Sequence, residues 1–176
     1  FGVDYILKTQ IININNAAEF DTFVASHENG HFLQTSLWGK VKDDWKWFGV
    51  ICKNDGGEIT GTMAVLLRKI SKLPYHMMYA PRGPVCAFND KETFAALVAA
   101  AKEEGKKYNA YELKIDKDVP YENEEYRAIA LAEGFKFKGR TVNFENTVIV
   151  MTTNAGSDNS SAVVGFTGMG EYGDNA

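Results

Sequence analysis

A short segment with one tryptophan and two lysines carries the first candidate binding chemistry. In the run from Trp38 to Lys42 (WGKVK), these two residues are four apart. A helix would therefore place an indole ring and an ammonium group on one face. Such a pair can hold a ring-containing ligand that carries phosphate. The alternative is an ordinary surface helix, with solvated lysines and a tryptophan that packs inward.

A stiff turn offers a second cationic group. The segment Tyr79–Val85 (YAPRGPV) reads as the end of a strand followed by two prolines that flank Arg82. An arginine held there is placed to meet a phosphate or a carboxylate. The other interpretation is a structural turn with an exposed arginine.

A carboxylate follows a predicted strand further along the chain. The segment Tyr111–Asp116 (YELKID) ends on this acid, and Tyr111 lies near the start of the strand. Crevices at the carboxyl ends of strands in α/β sheets hold ligands, and an acid there can orient or deprotonate an amine. Asp116 is therefore the candidate catalytic residue, although it could also simply cap a loop.

The elements that must position these residues follow from periodicity and turn signals. Asn16 and Glu19 fit a capping box that starts a helix, which ends before His27. A short helix over 35–43 would have Leu37, Trp38 and Val41 on one side. Asp90 caps a longer helix, which Gly105 closes. The predicted strands are 45–52, 58–70, 76–80, 110–115 and 135–137, and the remaining predicted helix is 122–133.

This order of elements predicts a mixed α/β sheet, mostly antiparallel, with helices on both faces. It matches the order found in the GNAT acyltransferase fold. An acetyl-CoA enzyme of that fold has an Arg/Gln-x-x-Gly-x-Gly/Ala loop, and Arg82-Gly-Pro-Val-Cys86 does not fit it. No cofactor is therefore expected.

Composition excludes several classes. The chain has 176 residues, a net charge of −4 and no phosphate loop, nucleophile elbow or long apolar run. Two cysteines make no disulfide framework, and three histidines have no metal-ligand spacing with cysteines or acids. With no secretory signal at the start, we expect a cytoplasmic protein with no integral membrane segment and no metal.

Three ordered segments together resemble the FemABX family. The run His31–Lys42 (HFLQTSLWGKVK) is similar to the family signature Phe-Leu-Gln-x-x-x-Trp-x-x-Val-Lys, and 79–85 and 111–116 match in order and spacing. The resemblance extends from about residue 10 to residue 146. These proteins are non-ribosomal peptidyltransferases that add amino acids to peptidoglycan precursors.

The resemblance implies two GNAT-like halves, an aminoacyl-tRNA donor and a precursor acceptor, either a UDP-muropeptide or its lipid-linked form. Lys42 matches the lysine that contacts the precursor diphosphate, and Asp116 matches an acid near the acceptor amine. Trp38, Arg82 and Tyr111 lie in matching motifs, and we infer that they bind substrate. An activated ester needs mainly alignment and oxyanion stabilisation.

Two departures from the family bear on activity. Lys117 stands where the family often has proline, which is expected to relax the backbone after Asp116 and to add a cation beside it. The second GNAT-like half, with the other diphosphate clamp and the tRNA site, is absent. The resemblance therefore implies an N-terminal half that is inactive alone.

The last thirty residues differ in composition. All 19 lysines and arginines precede residue 147, and residues 147–176 carry only three acids. Residues 146–156, with Asn154, resemble the sensor-1 strand of Clp-type AAA+ unfoldases, but no Walker motif precedes them. We therefore predict a domain over 1–146 and a foreign tail that adds one strand at 147–151 and is then mobile. The alternative functions are a fragment of such an unfoldase and a GNAT-like binding module without catalysis.

Overall fold

The computed structural model describes residues 6–117, 119, 123–138 and 148–152. These ranges form one mixed sheet with helices on both faces. The strands are β1 (Lys8–Ile12), β2 (Lys46–Lys53), β3 (Ile59–Lys69), β4 (His76–Ala80), β5 (Ala110–Ile115), β6 (Lys136–Lys138) and β7 (Val148–Thr152). The helices are α1 (Ala18–Ser26), α2 (Ser36–Val41), α3 (Lys91–Lys106) and α4 (Glu124–Ala132), with 3₁₀ turns at Ile14–Asn16 and Phe32–Gln34.

The strand order is β1-β2-β3-β4-β5-β7-β6. Neighbouring strands in the described ranges are antiparallel except β4 and β5, which are parallel and joined through α3. A parallel pair needs such a crossover connection, whereas a short turn suffices for the hairpin of β2 and β3. The predicted mixed, mostly antiparallel α/β fold is confirmed.

Two groups of buried side chains lie on the two faces of the sheet. One group packs beneath α3 and α4, where the predicted stripe of Phe94, Leu97, Val98 and Ala101 is buried. The other packs beneath α1 and contains Phe20, buried completely. Strand β3 contributes to both groups, which explains its nearly continuous apolar sequence.

Two local predictions, on helices α1 and α2, differ from the structure. The capping box joins Asn13 and Asn16 around the first 3₁₀ turn, and α1 begins after it with no side-chain cap. On α2, Leu37 and Val41 are exposed (53% and 62%). The helix instead packs through Gly39, where an added Cβ would lie 2.5 Å from the Trp47 ring. Backbone proximity, which hydrophobic periodicity does not report, decides the buried side of this short helix.

The end of α3 also differs from expectation. Gly105 lies inside the helix, which continues to Lys106 and is capped by Lys107. The glycine allows a close approach of the buried Met78, whose thioether lies 2.7 Å from the position of an added Cβ.

Part of the compositionally distinct C-terminal segment belongs to the sheet. Strand β7 pairs with β5 on one side and with β6 on the other. The predicted extra strand at 147–151 is therefore present. Asn154 and the mobile stretch predicted after it lie outside the described residues. None of the helices in the described ranges combines the length and the apolar composition that a membrane crossing requires.

Candidate functional site

The carboxyl ends of the two parallel strands bring two of the sequence motifs together. Ala80 at the end of β4 is in register with Ile115 at the end of β5. The chain therefore leaves both strands at the same edge of the sheet. This places the turn that contains Arg82 beside the carboxylate of Asp116. This is the edge where α/β sheets bind ligands.

The carboxylate of Asp116 is held by two hydrogen bonds. The hydroxyl of Tyr79 donates to Oδ2 at 2.8 Å, and the backbone N–H of Arg82 donates to Oδ1 at 2.6 Å. Arg82 has a positive φ of 57°, which is uncommon outside glycine. The bond to a charged acceptor helps to hold this backbone conformation. A carboxylate has about four lone-pair positions, so Asp116 can still accept from a ligand.

Tyr79 is kept protonated in this arrangement. Burial raises the pKa of its hydroxyl, the bond to Asp116 raises it further, and the charge of Arg82 acts in the opposite direction. The phenol therefore stays a hydrogen-bond donor throughout the physiological pH range. It orients the carboxylate and does not compete with it for a proton.

Gln34, from the Phe-Leu-Gln segment, forms hydrogen bonds that connect the segment before α2 with the turn that contains Arg82. Its side chain is completely buried. The amide nitrogen donates to the carbonyls of Ala64 (3.1 Å) and Pro81 (2.7 Å), and the amide oxygen accepts from the N–H of Ala64 (2.8 Å). All these atoms are satisfied, so the residue fixes the Arg82 turn over β3.

Helix α2 follows Gln34 after the N-cap residue Thr35, and the tryptophan–lysine pair consists of Trp38 in the helix and its C-cap residue Lys42. Asp21 of α1 accepts from the backbone N–H of Ser36 at 2.8 Å, which anchors the start of the helix. The ammonium nitrogen of Lys42 lies 5.3 Å from the ring centroid of Trp38. The four-residue spacing therefore places the indole and the ammonium together, as a cation–π pair.

Trp45, which sequence reasoning assigned only to a strand, connects the two groups. Its backbone N–H donates to the carbonyl of Lys42 at 2.9 Å, and the centroid of its ring lies 6.4 Å from that of Tyr79. The guanidinium of Arg68 lies 5.3 Å from the same tryptophan ring. Trp38, Trp45 and Tyr79 are half-buried and pack against one group of buried residues. The tryptophan–lysine pair and the Asp116 cluster therefore share one face of the sheet.

Tyr111 is not brought to this cluster. It lies near the start of β5, at a shift of register against β4, while Asp116 follows the other end of the strand. Five residues of strand correspond to about 16 Å. Burial raises the pKa of its hydroxyl, and the adjacent Glu112 adds to the effect. A substrate contact of Tyr111 stays a prediction that requires a ligand extended along β5.

Lys117 does not relax the backbone as expected from its place in the sequence. Its side chain is buried (4% exposed), and its ammonium donates to the carbonyls of Asn29 (2.9 Å) and Arg82 (3.2 Å). The cation beside Asp116 thus constrains the turn. No sequence signal identified these acceptors, because both are backbone atoms distant in the chain.

The histidines serve local structure. Nδ1 of His27 accepts from the N–H of Asn29, and Nδ1 of His31 accepts from the N–H of Leu33. Burial lowers the pKa of His27, and the charge of Lys117 lowers it further. In the described ranges, no three His, Cys, Asp or Glu side chains are grouped as metal ligands.

Fold comparison places this architecture with N-acyltransferases. A probable acetyltransferase from Staphylococcus epidermidis has a TM-score of 0.53 at 13% identity, over 84% of this chain and 99% of its own. The crystal structure of FemX is more similar, with a TM-score of 0.69 and 36% identity over 75% of this chain and 33% of that chain. The fold is therefore GNAT-like.

Sequence comparison defines the family. The FemAB family matches residues 15–152, and the chain belongs to it. A lipid II:glycine glycyltransferase of Staphylococcus epidermidis is 41% identical over 73% of this chain and 31% of its own length. One from Staphylococcus aureus is 40% identical over 69% and 29%. The chain spans about a third of the length of these curated relatives.

Proposed function

We propose that this chain is the acceptor-binding part of a FemAB-type aminoacyltransferase that builds peptidoglycan bridges. The acceptor is a peptidoglycan precursor, either a UDP-muropeptide or its lipid-linked form. The observation that carries the proposal is the arrangement on one sheet face. The tryptophan–lysine pair of α2 and the braced carboxylate of Asp116 are connected through Trp45 and Tyr79.

The chemistry of each group supports this assignment. Lys42 supplies a cation for the precursor diphosphate, and Trp38 supplies a ring face for stacking. Arg82 adds a second positive charge near Tyr79. The free lone pairs of Asp116 accept a hydrogen bond from the acceptor amine and so point its nitrogen at the incoming ester.

The reaction itself is aminolysis of an ester. The amine nitrogen bonds to the aminoacyl carbonyl carbon, the ester C–O bond breaks, and the proton lost by the amine ends on the released ribose hydroxyl of tRNA. Asp116 either relays this proton or orients the amine. The chain spans about a third of the length of its curated relatives, so we expect these residues to bind the acceptor without turnover. The donor places the reaction in the cytoplasm.

A calorimetric titration of the full chain with a UDP-muropeptide tests the proposal. We expect Lys42→Ala to weaken binding by about tenfold, as loss of a charge-assisted contact does. Lys40→Ala is the matched control, because this exposed lysine lies on the same short helix. Asp116→Asn should weaken binding less and should abolish any transfer when a second half is supplied.

Other outcomes distinguish the alternatives. Absence of measurable binding by wild type at millimolar ligand would reject the acceptor site and leave a GNAT-like module without this ligand. Equal binding by wild type and Lys42→Ala would reject the role of Lys42. Transfer from aminoacyl-tRNA by the chain alone would contradict its inactivity. ATP serves as a negative control, and its binding would revive the unfoldase alternative.

A further inference from the structure

A buried lysine lies directly behind the candidate site. Lys117 is 4% exposed, and its ammonium nitrogen lies 5.8 Å from the ring centroid of Phe88. Burying an ammonium group is costly unless it is hydrogen-bonded. Here two backbone carbonyls accept from it, those of Asn29 and Arg82. The charge is therefore retained by fixed dipoles contributed by two separate loops.

The side chains of two consecutive residues, Asp116 and Lys117, both form hydrogen bonds with the backbone of Arg82. Asp116 accepts from the N–H of Arg82, and Lys117 donates to the carbonyl of the same residue. Arg82 has the left-handed backbone conformation, which a non-glycine residue keeps only when its surroundings determine it. The two bonds fix both ends of this residue and couple it to the end of β5.

The second acceptor extends the network to the turn after α1. Asn29 receives the ammonium at its carbonyl, and its side-chain amide donates to the carbonyl of Cys86 at 3.0 Å. Its own N–H donates to Nδ1 of His27. Lys117 therefore links the loop at 27–30 with the segment from Arg82 to Cys86.

We propose that Lys117 is a positioning residue for the acceptor site: it fixes the backbone of Arg82, whose N–H holds the Asp116 carboxylate in place for the precursor. The inference rests on the proposed function, since it concerns the same ligand. Lys117 acts through Arg82 and has no contact with the reacting atoms. Its ammonium donates to the carbonyls of Asn29 and Arg82.

The test compares Lys117→Met with wild type in the full chain. Methionine keeps much of the length but removes the donors. We expect folding to be retained, UDP-muropeptide binding to weaken by about tenfold, and amide exchange at Arg82 to accelerate by at least about tenfold. The pKa of His27, followed by NMR, should rise as the nearby positive charge disappears.

A stability-matched control separates positioning from general destabilisation. Val98→Ala creates a cavity under α3, remote in sequence from this network. It should leave affinity unchanged and should accelerate exchange at Arg82 by no more than at neighbouring strand amides, whereas Lys117→Met should accelerate exchange at Arg82 selectively. Wild-type affinity and unchanged Arg82 exchange in Lys117→Met would overturn the inference. An equal loss of affinity in Val98→Ala would overturn it as well.

Wild-type measurements keep the inference testable if Lys117→Met does not fold. The ammonium of Lys117 should give a sharp ¹⁵N–¹H signal, and the Arg82 amide should exchange as slowly as neighbouring strand amides. Exchange at the rate of an open loop would refute the positioning role. Slow exchange at Arg82 without precursor binding would reject the proposed function while supporting the structural link.

Discussion

The side chain of Gln34 occupies the space that a Cβ on Gly83 would need. An ideal Cβ at this glycine would lie 2.7 Å from the amide carbon, nitrogen and oxygen of Gln34. Because of this close approach, the Phe-Leu-Gln segment packs directly against the turn that contains Arg82. It also explains why the turn has glycine at this position, where side-chain atoms of a buried amide fill the available volume.

Removing the hydrogen bonds of Gln34 should destabilise the fold. Gln34→Leu leaves the carbonyl of Pro81 and both backbone groups of Ala64 without the amide, and we expect the free energy of unfolding to fall by about 3 kcal/mol. Urea denaturation measures it. Gln10→Leu, at an exposed position on β1, is the control and should change stability by less than about 0.5 kcal/mol. Equal effects would contradict the role of the buried amide.

The two residues should also be thermodynamically coupled. Gly83→Ala alone forces the Gln34 amide to move and should lower the free energy of unfolding by about 2 kcal/mol. In a Gln34→Ala background the amide is absent, so the added methyl group has more space and the loss should be at least about 1 kcal/mol smaller. A double-mutant cycle by urea denaturation gives this difference. Strictly additive effects would show that the clash is relieved elsewhere.

Gly39→Ala should invert the usual effect of this substitution. In an exposed helix the change stabilises by about 1 kcal/mol. On α2 the new Cβ would lie 2.5–2.9 Å from side-chain atoms of Trp47, so we expect a loss of about 1–3 kcal/mol. Thermal or urea unfolding measures it. The neighbouring variant Lys40→Ala should be nearly neutral, and stabilisation by Gly39→Ala would mean that α2 does not pack on Trp47.

Two tyrosine hydroxyls should differ in what they contribute. Tyr79→Phe removes the donor to Asp116 and should cost roughly 1 kcal/mol. The hydroxyl of Tyr126 is buried with no partner among the described residues, so Tyr126→Phe should be neutral or slightly stabilising. Parallel urea denaturation at pH 7 compares them. Destabilisation by Tyr126→Phe above 1 kcal/mol would reveal a partner.

Stability should fall in alkaline solution. Burial raises the pKa of the Cys86 thiol to about 12, and burial also raises the pKa of the Tyr126 hydroxyl. The folded state therefore keeps protons that the unfolded chain releases above about pH 9 for the thiol and about pH 10 for the phenol. Their contribution is complete below these values and is lost as the pH rises through the folded-state pKa values.

Urea denaturation at pH 8, 9.5 and 11 measures this dependence. Cys86→Ala should flatten the fall from about pH 9 upward, in both intervals but more between pH 9.5 and 11, whereas Tyr126→Phe should flatten it only between pH 9.5 and 11. Tyr75→Phe, at an exposed tyrosine, should leave the profile unchanged. A profile in Cys86→Ala that is identical to wild type would contradict the burial of this thiol.

The sequence by itself determined the elements and the family. The apolar stripe on α3 and the order of predicted strands and helices predict a mixed sheet, because these patterns depend on local periodicity. Three ordered motifs, around Trp38, Arg82 and Asp116, predict a FemABX-type protein, and the family match over 15–152 confirms it. The spacing of Trp38 and Lys42 was enough to predict their pairing, since four residues make one helical turn.

Only the tertiary structure decided how the motifs meet. The register of β4 and β5 places Ala80 beside Ile115. The side chains of Asp116 and Lys117 then form hydrogen bonds with the backbone of Arg82, which is 34 and 35 residues away in sequence. Such bonds leave no pattern in the sequence, because any residue offers the same N–H and carbonyl. The buried side of α2 and the hydrogen bonds of Lys117 likewise depend on contacts between segments that are distant in the sequence.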